Sequence, residues 1–127
     1  MSEIRATTIS NAAGTGPVTL TGQSAAKAWV NFNGTVPSIR DSMNIASVSD
    51  FGTGDHQVNI SNAMSDANYS IVASCGPTAG SNNVGVSMQT DITPPTVSLY
   101  RTTTRRRDTN TDSDVSYVWS QVNGDLA

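Results

Sequence analysis

From Ala28 the chain alternates. Val30 and Phe32 fall on one face of an extended segment, and Trp29, Asn31 and Asn33 fall on the other. Asn33-Gly34 ends the segment, because both residues tolerate the positive φ that turns demand. A strand with large apolar groups on both faces is expected to be covered on both sides, or to lie against another chain.

The alternation recurs downstream. Ser42 to Val48 places Met43 and Ile45 inward, and Gln57 to Ile60 places Val58 and Ile60 inward, with Ser49-Asp50-Phe51-Gly52-Thr53-Gly54-Asp55 as the turn between them. Tyr69, Ile71, Ala73 and Cys75 share one face of a further strand. After the Gly76–Asn83 loop come strands over Val84 to Met88, Thr96 to Thr103 and Val115 to Val122, the last with Val115, Tyr117 and Trp119 on one face. Upstream, Gln23 to Ala28 could form one helical turn, and residues 1–22 are punctuated by Gly14, Gly16, Pro17 and Gly22, with a short strand at Val18 to Leu20. No segment keeps a helical period. Short strands at near-regular spacing predict an all-β, antiparallel β-sandwich, jelly-roll-like, over 26–127, with residues 1–25 as an extended arm.

Composition separates this pattern from disorder. Charged residues are 13% and hydrophobic residues 36%, with a net charge of −3. Disordered chains poor in apolar residues usually carry high net charge. The pI of 4.7 gives no electrostatic reason to bind nucleic acid or an anionic membrane. MSEIRATTIS does not read as a signal peptide, and no apolar run reaches membrane-spanning length. Without an export signal, the acceptor triplets at Asn33, Asn59 and Asn68 read as chance matches. The single Cys75 permits no internal disulfide and reads as an inert buried thiol.

Candidate chemistry is sparse. Asp108 to Asp114 spaces oxygen ligands as calcium loops do, but Ser113 stands where such loops need Gly, and Trp119 where they need Glu. Hence no metal and no cofactor is expected. His56 has no second histidine and reads as a turn residue. Glu3 is the only glutamate and the other acids are mostly turn aspartates, which gives no carboxylate pair for glycoside hydrolysis. No catalytic residue is assigned. Arg101, Arg105, Arg106 and Arg107, with Asp108, Asn110 and Asp112, mark the best candidate for an exposed contact loop. Its guanidinium groups could hold acidic sugars or phosphates, or could simply pair with the neighbouring aspartates.

AKAWVNFNGT, then SIRDS, then VSDFGTGDHQVNI and AMSDANYS, resembles in order a module of bacteriophage tail fibres. The segment TISNAAGTGP is similar to one found shortly ahead of the distal domain of fibres and spikes. The resemblance covers about residues 7–75. It implies a non-enzymatic virion protein, β-rich and homotrimeric, at or near the end of a fibre that meets the host. On that reading residues 1–25 dock on other virion proteins and distal loops contact a host surface glycan or protein. Trp29, Val30 and Phe32 are then expected to anchor the copies to one another, burying apolar area that a monomer would leave open. The alternatives are a capsid or tail decoration protein without a receptor, and a monomeric carbohydrate-binding module with exposed aromatics.

Overall fold

The computed structural model describes residues 25–76 and 83–127. The expected arm, its short strand at Val18 to Leu20 and most of the loop after Gly76 lie outside these residues. The described chain is all β, in eight strands: β1 (Ala26–Asn33), β2 (Ser38–Met43), β3 (Ile45–Gly52), β4 (Asp55–Ile60), β5 (Ser70–Gly76), β6 (Val84–Met88), β7 (Leu99–Arg106) and β8 (Tyr117–Asn123). They form two antiparallel four-stranded sheets, ordered β2-β1-β8-β5 and β3-β4-β7-β6. Two antiparallel sheets of four strands make the expected β-sandwich. The order makes β1–β2, β3–β4 and β6–β7 hairpin pairs within one sheet, and places β8 between β1 and β5.

The inward positions are those that alternation selects. Ala28, Val30 and Phe32 of β1 meet Val58 and Ile60 of β4, with Tyr100 of β7 and Val118 and Val122 of β8 closing the core. Ile71 and Cys75 of β5, and Val84 and Met88 of β6, pack against it. Two buried tyrosine and serine hydroxyls meet across the interior: Tyr100 Oη lies 2.6 Å from Ser120 Oγ, which links the two sheets through their middle strands.

Several local expectations are corrected. The strand expected from Ser42 to Val48 is two strands belonging to different sheets. Asn44, at φ 58°, turns the corner between them, and its amide donates to the Lys27 and Asn62 carbonyls. Asparagine tolerates that left-handed conformation better than most residues. The residues expected to make a helical turn reach strand β1 at Ala26. The strand expected from Thr96 starts at Leu99 and runs on to Arg106. In β8 the inward residues are Val118, Ser120 and Val122, so Tyr117 and Trp119 face outward, away from Val115. His56 is not a turn residue on the surface. It is fully buried, edge-on to Phe32 with ring centroids 5.3 Å apart, and its Nε2 lies 3.1 Å from the Gly34 carbonyl oxygen.

Candidate functional site: the outer face of the first sheet

The outer faces of the two sheets differ in kind. On the β3-β4-β7-β6 sheet, several polar side chains bond to one another, although the buried Thr103 Oγ1 finds no partner among the described residues. Asn59 receives a hydrogen bond from Gln57 at 2.8 Å and donates to Ser47 and Ser49 at 2.9 and 3.2 Å. Arg101 of β7 forms a two-pronged bond with Asp55 of β4 at 2.6 and 2.5 Å, and its guanidinium covers the Phe51 ring at 4.1 Å. That bidentate geometry is the strong form of the pair. Bonding to Asp55 raises the Arg101 pKa further.

The outer face of the β2-β1-β8-β5 sheet carries large apolar groups instead. Trp29 pairs in register with Gln121 and with Met43, and Asn31 pairs with Trp119 and with Asp41. On the next strand Val72 lies opposite Gln121 and Ser74 opposite Trp119. Because side chains alternate, these registers bring Trp29 and Trp119 onto one surface, one pair apart on adjacent strands. Between them runs an open trough of about 390 Å³, walled further by Asn31, Asp41, Val72 and Gln121.

Neighbours fix the Trp119 wall. Its ring is stacked nearly parallel to Tyr117, with centroids 5.6 Å apart and planes 17° apart. The Arg40 guanidinium of β2 covers the other part of that stack, 4.1 Å from the Tyr117 centroid. Gly76 of β5 lies beneath: a methyl group there would meet the indole at 3.1 Å. The exposed indole thus rests on a ring that a cation backs and on a bare backbone, which lowers the entropy cost of ordering it on binding. Asn31 adds an unmet need. Its Oδ1 is shut away from solvent and finds no donor among the described residues.

The residues assigned from sequence divide between these places. Val30 and Phe32 are fully buried by the chain's own core, so they present no surface to another copy; of that trio only Trp29 remains on the outside. Arg101, Arg105, Arg106, Arg107, Asp108, Asn110 and Asp112 do not form one loop. Arg101, Arg105 and Arg106 belong to strand β7, and only 107–112 form the turn beyond it. Arg105 donates to Asp112 at 2.7 Å and Arg106 to Asp108 at 2.9 Å. Hydrogen bonds from Arg106 hold the Asp108 carboxyl below its ordinary range. Asp114 accepts from the Gly54 amide at 2.6 Å. The carboxylates of 108–114 therefore go to separate partners, and among the described residues no three ligating side chains gather.

Cys75 is half-buried. Burial pushes its thiol up, and the nearby Arg107 charge offsets part of that. A protonated thiol is a poor nucleophile at neutral pH. Among the described residues no helix is long and apolar enough to cross a membrane.

The trough itself was not assigned from sequence. The signal was available in the two exposed-face tryptophans, but joining them needed the β1–β8 register, which pairs residues about ninety positions apart. No family model, curated protein or solved structure matches this chain.

Proposed function

We propose that this chain is a non-enzymatic virion protein, a short tail fibre or spike that contacts the host surface. The motif resemblance supplies the class. The observation that carries the contact role is the sidedness of the sandwich: one outer face is mostly polar, with Phe51 lying under Arg101, and the other carries Trp119 and Tyr117 exposed and Trp29 half-buried, the two indoles lining a trough. Large aromatic groups kept on a surface mark an interaction site. We therefore take the β2-β1-β8-β5 face as the contact surface, in place of the arginine-rich turn, where Arg105 and Arg106 pair with Asp112 and Asp108.

Copies of the chain are its first partners, as a homotrimer. Strand β2 ends its sheet with an open edge and exposes Ile39 and Met43 there, and closed symmetry covers such edges. Other virion proteins meet it through residues 1–25. Several copies on one particle turn weak single contacts into firm attachment.

The experiment is gold labelling of the protein on intact particles, with adsorption competed by the purified chain. Label at the tail or vertices and a competed adsorption are expected. Label spread over the capsid, with adsorption unaffected, would replace this reading with a decoration protein. Sedimentation at micromolar concentration is expected to give three times the chain mass.

A further inference from the structure

We infer that the trough between Trp29 and Trp119 binds an uncharged saccharide, stacking a pyranose ring on the indoles and taking its hydroxyls into hydrogen bonds with Asn31, Asp41 and Gln121. The inference rests on the attachment reading above and names the chemistry of what is attached to.

Three features of the trough select that class. The first is the pairing of stacking surface with short polar groups. A flat sugar face is apolar and its rim is all hydroxyl, so it needs an aromatic plane beside amides and a carboxylate. Trp29 and Trp119 supply the plane, and Asn31, Gln121 and Asp41 line the same space. A dry contact with another protein would bury those three side chains without assured partners, at a cost of desolvation. The second is the unpaired Asn31 Oδ1, an acceptor already withdrawn from water. Asn31 lines the trough, so a turn of its amide brings Oδ1 to a ligand hydroxyl that supplies the missing donor, and binding then removes a cost that the free protein carries.

The third feature is charge. Among the described residues, Asp41 is the only ionisable side chain lining the trough. The Arg40 guanidinium does not line the trough and lies over Tyr117. An acidic sugar or a phosphate would bring its charge beside a carboxylate with no lining guanidinium to receive it. This is opposite to what the arginine-rich turn implied, and it separates the two sites by ligand.

Both tryptophans of the chain line this one trough, so intrinsic fluorescence reports on it without a label. The full chain is titrated with a panel of neutral trisaccharides, including maltotriose, cellotriose and chitotriose, and with trigalacturonate as the charged counterpart, each to about 10 mM. A saturable emission change with at least one neutral probe and none with trigalacturonate is expected. Trp119→Ala should abolish it, and Trp119→Phe, which keeps a stacking ring, should restore most of it. Asn31→Ala should weaken binding about tenfold, the loss of one buried hydrogen bond. Circular dichroism checks that each variant is folded.

A flat response across the neutral panel overturns the inference, as does a stronger response to trigalacturonate. An emission change on dilution alone, tracking a fall in sedimenting mass, also overturns it, because a second copy then covers the face. Tail labelling that persists without saccharide binding removes this inference and leaves the attachment reading standing. Saccharide binding with capsid-wide labelling does the reverse.

Discussion

Tyr100 shows most directly how one side chain couples packing to solution conditions. Its ring is fully buried, and its hydroxyl meets Ser120 across the interior at 2.6 Å. Burial pushes its pKa up from 10.0 to about 12, only partly countered by the Ser120 hydrogen bond and reinforced slightly by Tyr69. In the unfolded chain the same hydroxyl ionises near 10. Between those values the unfolded state has released a proton that the folded state still holds, so stability falls as pH rises. The contribution is whole below pH 10 and is lost through about pH 12, amounting to roughly 2–3 kcal/mol. Tyr69 is raised to about 12 by burial as well, with its hydroxyl 2.8 and 2.9 Å from the Thr96 and Leu99 carbonyls, and it steepens the same window. Urea midpoints at pH 9 and pH 11 should therefore differ clearly in the native chain. Tyr100→Phe should narrow that difference while costing about 1 kcal/mol at pH 7, through the unpaired Ser120 hydroxyl. An equal pH dependence in the variant would remove Tyr100 as its source. Alternation with Val58 and Ile60 also put His56 on the inward face, and its polar neighbours Asp55 and Gln57 hid that reading. Polarity of neighbours says little about burial in a strand, because the two sides alternate.

At the scale of elements, the β3–β4 turn is the clearest case of a sequence signal fulfilled. Gly52 and Gly54 have φ of 133° and 70°, conformations that other residues adopt with strain. Gly54 is also clamped. Its amide donates to Asp114, and its carbonyl accepts from the Thr104 amide at 2.7 Å. A methyl group on Gly54 would collide with the Thr104 carbonyl oxygen and with the Ser113 amide nitrogen at 2.8 Å, whereas one on Gly52 meets nothing within 4 Å. Gly54→Ala should therefore cost roughly 2 kcal/mol or more, combining backbone strain with overpacking, and Gly52→Ala only the strain component. Thermal midpoints of the two variants read the difference, and equal losses would mean that the clamp adds nothing. Other boundaries were legible to different degrees. Val84 to Met88 is the strand its alternation predicts. The division at Asn44 was not visible, because Met43-Asn44-Ile45 reads as ordinary alternation until the chain is seen to change sheets there. In β8 the alternation grouped Tyr117 and Trp119 with Val115, yet Val115 is buried and within the strand Val118, Ser120 and Val122 take the inward face. Residue size misleads where large rings stand on the outer face of a strand.

For the whole molecule, the order of strands sets how stability is shared. Strand β8, close to the end of the chain, fills the middle of its sheet between β1 and β5, and the last residues add a bridge from Leu126 to Met64. The first described strand thus depends on the last one for its inner ladder. Such long-range pairing must be in place before either sheet has a complete face, which makes folding slow, in the millisecond-to-second range typical of non-local β topologies. It also leaves no half that can stand alone: without β8, Ala28, Val30 and Phe32 lose their in-plane neighbour, and Tyr100 loses Ser120. The described sandwich should unfold in one cooperative step, with near-coincident transitions by tryptophan fluorescence and far-ultraviolet circular dichroism. A chain ending at Ser116 should lose the whole sandwich, including the β3-β4-β7-β6 sheet from which nothing has been deleted. Hydrogen exchange supplies the finer reading, since the Val118, Ser120 and Val122 amides should exchange only through global opening, as slowly as any in the chain. Faster exchange in β8 than in β4 would mean that the second sheet holds together without the first, and the two faces could then no longer be treated as one rigid body presenting a trough on one side and a polar network on the other.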